Sequence, residues 1–217
     1  MERRSVFVTG GTGYLGRALL PVLLSRGHEV KALARPGSER KVPLGCQVIV
    51  GDPLESASFA GQIAPADTLV HLVGVPHPSP AKAALFESVD FASIQATVAA
   101  AKSAAVRHLV YLSVAHPAPA IRAYWGVRVR GEALIAAAGL SATFLRPWYV
   151  LGPGHRWPVV LLPVYALLER LPPTRETARR LGLVTLAQMV EALVWAVEHP
   201  VEGIRVVDVP AIRRGGP

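Results

Sequence analysis

A glycine-rich stretch near the start of the chain has the residue types and spacing of a phosphate-binding turn. Gly10, Gly13 and Gly16 are spaced three apart, between the apolar run Ser5–Thr9 and a leucine-rich segment. Such glycines permit a tight turn, let backbone N–H groups approach a pyrophosphate, and let a helix pack closely on a strand. A plain structural turn is the alternative, but the flanking strand and helix favour a dinucleotide site on a helix N-terminus. The residues predicted to bind the dinucleotide here are Gly10, Thr12, Gly13, Tyr14, Leu15 and Gly16.

The residue after the second apolar run, Glu29–Ala34, indicates which dinucleotide binds. Proteins of this type that prefer NAD place an acidic residue there, which binds the ribose 2′-hydroxyl. This chain has Arg35 instead, and a guanidinium suits a 2′-phosphate through its charge and its planar fork of donors. Arg40 and Lys41 follow and add positive charge. The sequence therefore predicts NADPH, with NAD as the alternative if Arg35 is an ordinary surface arginine.

The elements that must position these residues alternate along the chain. The predicted strands are 5–9, 29–34, 46–50, 68–73, 108–113, 141–146 and 204–209, and the predicted helices are 13–26, 86–105, 127–138 and 186–198. Strands separated by helices form parallel sheets with right-handed crossovers, which predicts an α/β Rossmann fold with a doubly wound parallel sheet. Ligands of such a sheet lie beyond the carboxyl ends of its strands.

The composition is that of a globular chain with a substantial core. Of its 217 residues, 51% are hydrophobic and 18% are charged. We expect a single domain over 1–217, with a dinucleotide-binding core over 1–150 and a small substrate-facing part over 151–217. Lys and Arg exceed Asp and Glu by 23 to 15. The basic residues are scattered and not interleaved with aromatics, which argues against a nucleic-acid partner.

Cysteine use and hydropathy favour a cytoplasmic protein without a transmembrane segment. Cys46 is the only cysteine, so an intramolecular disulfide cannot form. The first apolar run is too short for a secretory signal. The longest apolar stretch, 157–168, contains two prolines, whereas a bilayer span needs roughly 20 residues. This stretch, together with Trp148 and Tyr149 before it, would line an apolar pocket, cover the sheet, or contact a partner or a membrane surface. The histidines lack metal-ligand spacing, so we expect no metal site.

Four further motifs lie at the starts or ends of predicted strands or directly after them. They are Gly27-His28-Glu29-Val30, Gly51-Asp52, His71-Leu72-Val73-Gly74, and Arg146-Pro147 followed by Gly152-Pro153-Gly154. Together with the glycine turn, they make nearly the whole chain resemble the short-chain dehydrogenase/reductase superfamily, in its extended and atypical branches. The resemblance implies that Asp52 reaches the adenine and that Pro147 lies beside the nicotinamide. It also implies an adenosine wall formed by Leu72, Val73 and Gly74.

The resemblance further implies candidate catalytic residues. Reductases of the superfamily use a Tyr as acid, a Lys four residues later, and a Ser or Thr near the end of strand five. Tyr124 and Arg128 have this spacing, which places both side chains on one helix face. Arg128 keeps the positive charge that a phenol needs to ionise at neutral pH, but it is not interchangeable with a Lys that bonds the ribose. Ser113 is the candidate hydroxyl, although the family's hydroxyl often falls later, where this chain has Val114 and Ala115.

Three functions follow from these observations. The favoured one is an NADPH-binding oxidoreductase, or an epimerase/dehydratase-like enzyme, that acts on an unknown small carbonyl or hydroxyl substrate. In it Tyr124 is the acid and Arg128 the charge that lowers its pKa. The Arg at position 128 favours instead a non-catalytic NAD(P)H sensor or structural subunit, with Tyr124 a half-buried aromatic and Arg128 solvated or ion-paired with Glu132. The third is a membrane-surface protein that uses 157–168. A homodimer is compatible with all three.

Overall fold

A seven-stranded parallel sheet lies at the centre of the computed structural model, which describes residues 2–116, 122–153 and 175–216. In chain order the strands are β1 (Ser5–Thr9), β2 (Glu29–Ala34), β3 (Gln47–Val50), β4 (Thr68–His71), β5 (His108–Leu112), β6 (Ala142–Leu145), β7 (Tyr149–Leu151), β8 (Leu183–Thr185) and β9 (Ile204–Val207). The main sheet has the order β3-β2-β1-β4-β5-β6-β9, and every neighbouring pair is parallel. β7 and β8 form a separate parallel pair. The predicted Rossmann-type sheet is therefore confirmed.

The helices lie between the strands. They are α1 (Tyr14–Ser25), α2 (Ala83–Leu85), α3 (Ala92–Ser103), α4 (Arg122–Ala137), α5 (Arg175–Arg180), α6 (Leu186–Glu198) and α7 (Val209–Arg213). A π-helical segment, Phe86–Phe91, joins α2 to α3, and short 3-10 turns cover Glu39–Lys41, Ser56–Ser58, Ala60–Gln62 and Pro80–Lys82.

Two apolar cores lie on the two faces of the sheet. Side chains alternate along each strand, so that Val6 and Val8 of β1 belong to one core and Phe7 to the other. The first core takes buried residues from α1 and α6, and the second takes them from α3 and α4. Because both faces are covered, the strands have continuous apolar sequences rather than alternating ones.

Several predicted boundaries differ from the structure. Helix α4 begins at Arg122 rather than at 127, so Tyr124 lies in its first turn. β4 ends at His71, two residues early, which frees Leu72 and Val73 to form a loop at the carboxyl edge. β9 ends at Val207 because the Asp208 side chain accepts a hydrogen bond from the Ala211 N–H and begins α7. The β7–β8 pair was not predicted.

The described residues contain no helix with both the length and the apolarity needed to cross a bilayer. Gly154 and the apolar segment 157–168, for which pocket, partner and membrane roles were considered, lie outside the described residues.

Candidate functional site

An open groove of about 430 Å³ lies beyond the carboxyl ends of β1, β2, β3 and β4. The chain runs outward from β1 through β2 to β3 and then returns to β4 on the other side of β1, so the strand order reverses here. Open parallel sheets bind ligands at such a switch point. Eight of the predicted cofactor residues line the groove: Gly10, Thr12, Gly13, Arg35, Asp52, Leu72, Val73 and Gly74.

The glycine turn has the backbone geometry of a phosphate cradle. Gly10 has a φ of +77°, which favours glycine, and its carbonyl oxygen accepts a hydrogen bond from the Gly13 N–H at 3.0 Å. A Cβ on Gly16 would overlap backbone atoms of Gly10, so Gly16 keeps α1 close to the turn without lining the groove itself. No side chain caps the start of α1, and its first turn holds no acidic residue. The first N–H groups of α1 therefore suit a phosphate.

Two polar side chains flank the far part of the groove. Arg35 is exposed at the rim and forms no ion pair with any residue that the structure describes. Asp52 accepts a hydrogen bond from the Leu54 N–H at 2.9 Å, which fixes its carboxylate in the turn after β3. One basic and one acidic side chain thus stand at this part of the groove.

A second, smaller cavity of about 190 Å³ begins where the groove ends. Tyr14 and Leu15 line it directly after Gly13, and His77 and Pro78 line it directly after Pro76 of the groove. The remaining lining residues are Leu112, Ser113, Val114, Tyr124, Pro147, Trp148, Tyr149 and Val150. The structure therefore brings Ser113, Tyr124 and Pro147 together, although they come from three different elements.

Ser113 lies in this cavity with an unused hydroxyl. Its N–H donates to the Leu145 carbonyl oxygen at 2.8 Å, which fixes its backbone at the end of β5. The residue is only 2% exposed, and its Oγ has no hydrogen-bond partner among the residues described. A buried polar group without a partner costs about 1–3 kcal/mol. The hydroxyl therefore has hydrogen-bonding capacity that no described residue uses.

Tyr124 is half-buried in the first turn of α4. Its ring packs edge-on against Phe86, with centroids 5.3 Å apart. The Arg128 guanidinium carbon lies 5.1 Å from the Tyr124 ring centroid, so the spacing of four residues places both on one face. This position agrees with the structural alternative of a half-buried aromatic, and it also places Tyr124 in the wall of the second cavity.

Arg128 corrects one expectation from the sequence. It is neither solvated nor paired with Glu132, because it is 2% exposed and forms an ion pair of 2.5 Å with Asp90. Glu132 instead binds Arg146 through two hydrogen bonds, at 3.0 and 2.5 Å. Arg128 lines neither cavity. The side chain thus turns into the protein, behind Tyr124.

The charge of Arg128 is held by the groups around it. Burial alone disfavours the charged form of Arg128 and would lower its pKa. The neighbouring Tyr124, Tyr111 and Asp90 have the larger opposite effect, so the pKa of Arg128 is raised overall. Burial raises the pKa of Asp90, and the adjacent Arg128 opposes that rise. Asp90 was not identified from the sequence because it lies 38 residues from Arg128 and no local motif marks it.

Two aromatic residues next to Pro147 were predicted only among the residues that would line an apolar pocket, and not as catalytic or cofactor residues. Trp148 and Tyr149 line the second cavity, and burial together with Tyr149 raises the pKa of Tyr14 across it. A Cβ on Gly152 would overlap the Tyr14 hydroxyl, so the glycine turn and the segment after β6 are in close contact. The position of Trp148 and Tyr149 directly after Arg146-Pro147 was the sequence signal that places them near the cofactor groove. Among the described residues, no three His, Cys, Asp or Glu side chains are grouped to hold a metal ion.

Three relatives of the chain are named as reductases. The chain is 27% identical over 216 residues to a ceramide reductase of Caulobacter vibrioides, covering 99% of this chain and 67% of that protein. It is 29% identical over 168 residues to a 4-hydroxy-2-methyl-3-oxo-4-farnesyl-3,4-dihydroquinoline-1-oxide ketoreductase of Stigmatella aurantiaca, covering 67% and 50%. It is 28% identical over 194 residues to a 2-alkyl-3-oxoalkanoate reductase of Stenotrophomonas maltophilia, covering 76% and 57%. The chain thus spans about half to two thirds of these relatives.

Solved structures show the same fold. The Bordetella bronchiseptica enzyme WbmH in complex with NAD+ superimposes with a TM-score of 0.70 at 21% identity, over 94% of this chain and 75% of that one. A UDP-glucose 4-epimerase of Thermotoga maritima gives a TM-score of 0.69 at 16% identity, over 94% and 76%. A family model described as NAD(P)H-binding matches residues 10–157, which include both cavities' predicted site residues. The chain therefore belongs to this NAD(P)H-binding family and is an atypical member of the short-chain dehydrogenase/reductase superfamily.

Proposed function

We propose that the chain is an NADPH-dependent reductase of a neutral carbonyl compound with an apolar body. The observation that carries the proposal is the second cavity, where the unpartnered hydroxyl of Ser113 and the phenol of Tyr124 share an apolar wall at the end of the dinucleotide groove. Hydroxyl groups in an apolar, partly enclosed site are suited to bind a carbonyl oxygen and to exclude water from it.

The chemistry follows from these two side chains. NADPH held in the groove at Gly10, Gly13 and Arg35 would supply the hydride for the carbonyl carbon. The Ser113 hydroxyl donates a hydrogen bond to the carbonyl oxygen, and Tyr124 gives its phenolic proton to that oxygen as the C=O bond becomes C–OH. The Arg128 guanidinium carbon lies 5.1 Å from the centroid of the Tyr124 ring and contacts the ring that carries this phenol. The product is an alcohol, and Tyr124 regains its proton from solvent.

The walls of the second cavity support a neutral, apolar substrate. Among the residues that the structure describes, the lining holds aliphatic and aromatic side chains such as Leu15, Val114 and Trp148, and no Asp, Glu, Lys or Arg. A charged substrate group would therefore lose its hydration without gaining an ionic partner there. The names of the three relatives, which include farnesyl and alkyl groups, agree with a carbonyl substrate that carries a hydrocarbon chain.

The test uses a panel of ketones with alkyl chains of increasing length. Reduction of each ketone is measured as the loss of NADPH absorbance. Tyr124→Phe removes the proton donor, so we expect kcat to fall by about 100-fold or more, with little change in NADPH affinity. Tyr149→Phe is the matched control, because it removes a hydroxyl from the same cavity and keeps the proposed acid. Full activity of Tyr124→Phe would refute its role as the acid.

The preference for NADPH rests on Arg35 at the groove rim. Arg35→Ala removes a charge-assisted contact to the 2′-phosphate, worth about 1.5–3 kcal/mol, so NADPH affinity falls by about tenfold or more while NADH affinity changes little. Arg40→Ala serves as control, since Arg40 is a nearby exposed cation that does not line the groove. Equal losses for the two coenzymes in Arg35→Ala would reject the preference.

A non-catalytic NADPH sensor is the second candidate function. The observation that favours it is the position of Arg128, which is bound to Asp90 and lines neither cavity. The superfamily's reductases have a Lys at this position that bonds the ribose. A protein that binds NADPH tightly but oxidises it with no member of the ketone panel would support this candidate over the reductase.

A further inference from the structure

Asp90 is a buried carboxylate that connects the cofactor groove to helix α4. It lies in the π-helical segment Phe86–Phe91 and is 1% exposed. Its Oδ2 accepts a hydrogen bond from the Val75 N–H at 3.0 Å, and its Oδ1 accepts one from Nη2 of Arg128 at 2.5 Å. Val75 follows Gly74, and both line the groove. π-Helical turns are rare and are frequent at functional sites.

Arg128 extends this connection to the two proposed reacting residues. Its Nη1 donates to the carbonyl oxygen of Leu112 at 2.9 Å, directly before Ser113. Its Nη2 lies 3.4 Å from the carbonyl oxygen of Val73, and its guanidinium packs beside the Tyr124 ring. A Cβ on Gly74 would overlap Nη2, so the groove wall and the guanidinium are in direct contact.

The geometry leads us to propose that the Asp90–Arg128 ion pair positions the reacting groups, and that Asp90 is a positioning residue for the reaction proposed above, on which this inference rests. The pair holds the groove wall at Val73–Val75, the end of β5 before Ser113, and the helix turn of Tyr124 in one arrangement. Neither side chain lines either cavity, so both act through the residues they hold.

A purely structural ion pair would behave differently when both charges are removed together. Removing one partner leaves a buried, uncompensated charge, which destabilises the fold, whereas replacing both by apolar residues of similar size is often neutral. An apolar pair cannot bond Val75 N–H or the carbonyl oxygens of Val73 and Leu112. Asp90→Leu/Arg128→Met therefore avoids an uncompensated buried charge, and its effects on NADPH binding and kcat are measured on the folded protein.

The same two elements carry a matched control. Glu87 of the π-helical segment and Arg130 of α4 form an exposed ion pair at 2.5 Å, with about half of each side chain in solvent. Glu87→Leu/Arg130→Met removes the same charge types between the same elements without touching the groove wall or the end of β5. We expect this variant to match the wild type in both kcat and NADPH affinity.

The experiment measures three quantities for each double variant: the urea midpoint, the NADPH dissociation constant by calorimetry, and kcat with the best ketone. For Asp90→Leu/Arg128→Met we expect a folded protein with a lowered urea midpoint, because each buried backbone group left without a partner costs about 1–3 kcal/mol, together with a dissociation constant raised about fivefold and a kcat lowered by roughly tenfold to a hundredfold. If the fold is lost, Asp90→Glu, which keeps a negative partner for Arg128 but moves the carboxylate by one methylene, is measured in its place, with the same directions of change expected for the dissociation constant and kcat.

The outcomes separate this inference from the proposed function. Native NADPH affinity and native kcat in the folded variant would overturn the positioning role. If the wild type reduces no ketone, the proposed function fails, and the inference is decided by NADPH binding alone. A raised dissociation constant then supports the role of the pair in holding the groove wall, and an unchanged one rejects it.

Discussion

Replacing Gly10 by alanine tests the geometry of the phosphate turn. Gly10 has a φ of +77°, and a Cβ there would lie 2.7 Å from the carbonyl carbon of Leu72 and 2.9 Å from the nitrogen of Val73. Gly27 has a similar φ of +83°, but no atom lies within 4 Å of its Cβ position. Gly10→Ala and Gly27→Ala therefore share the backbone penalty and differ in the contact with the loop after β4.

The two penalties can be estimated separately. A left-handed backbone costs an alanine about 1–2 kcal/mol relative to glycine, which is the whole expected loss for Gly27→Ala. In Gly10→Ala the loop after β4 must also shift, because its backbone atoms cannot rotate away as a flexible side chain can. Steric strain of this kind adds about 1–3 kcal/mol. The loop that shifts contains Leu72 and Val73, which line the groove.

Urea denaturation and calorimetric titration with NADPH, applied to both variants, measure these effects. We expect Gly27→Ala to keep native NADPH affinity. In Gly10→Ala the strained loop lines the groove, and a loss of about 1.4 kcal/mol in binding corresponds to a factor of ten, so we expect the NADPH affinity to fall by about tenfold or more. If Gly10→Ala is as stable as Gly27→Ala and binds NADPH as the wild type does, the reasoning about the turn is wrong.

Three further predictions concern other parts of the chain. Gly152→Ala would displace the Tyr14 hydroxyl, so steady-state kinetics should show reduced ketone turnover; unchanged turnover would exclude this contact. Burial and the charge of Arg128 lower the pKa of His71 to about 3, below the value near 6.5 in the unfolded chain. The unfolded state then binds the proton first, so the free energy of unfolding falls by about 1.4 kcal/mol per pH unit as the pH drops from about 6 to 4. As the pH is lowered, the urea midpoint should decline less steeply for His71→Asn than for the wild type, whereas the exposed His199→Gln should decline as the wild type does. Equal slopes for the three proteins would contradict this. Burial also raises the pKa of the Cys46 thiol, so at pH 8 it should react with a disulfide reagent more slowly than after unfolding.

Much of the fold was predictable because its signals are local. The apolar runs of β1 and β2 and the glycine that ends α1 at Gly27 each act within a few residues. The β7–β8 pair has only three residues in each strand, too few to show a period, and forms through tertiary pairing. The start of α4 was placed too late because Gly126 interrupts the helical pattern. In the structure the helix continues through Gly126.

The site was predictable only where a motif lies within one loop. The turn residues, Arg35 and Asp52 follow strand ends, and the parallel sheet brings such ends to one edge. The partner of Arg128 was not predictable in this way. Helical spacing of four suggested Glu132, but Arg128 turns toward the sheet and meets Asp90 from another segment, while Glu132 meets Arg146. Spacing along a helix indicates a shared face and does not identify what packs against it.

The central claim is that the turn over residues 10–16 binds a nicotinamide dinucleotide. Calorimetric titration of the wild-type protein with NADPH and with NADH tests it most directly. We expect one NADPH to bind per chain, more tightly than NADH, with binding weakened by Gly10→Ala. Absence of measurable binding of either coenzyme to the folded protein would contradict the claim and the functions built on it.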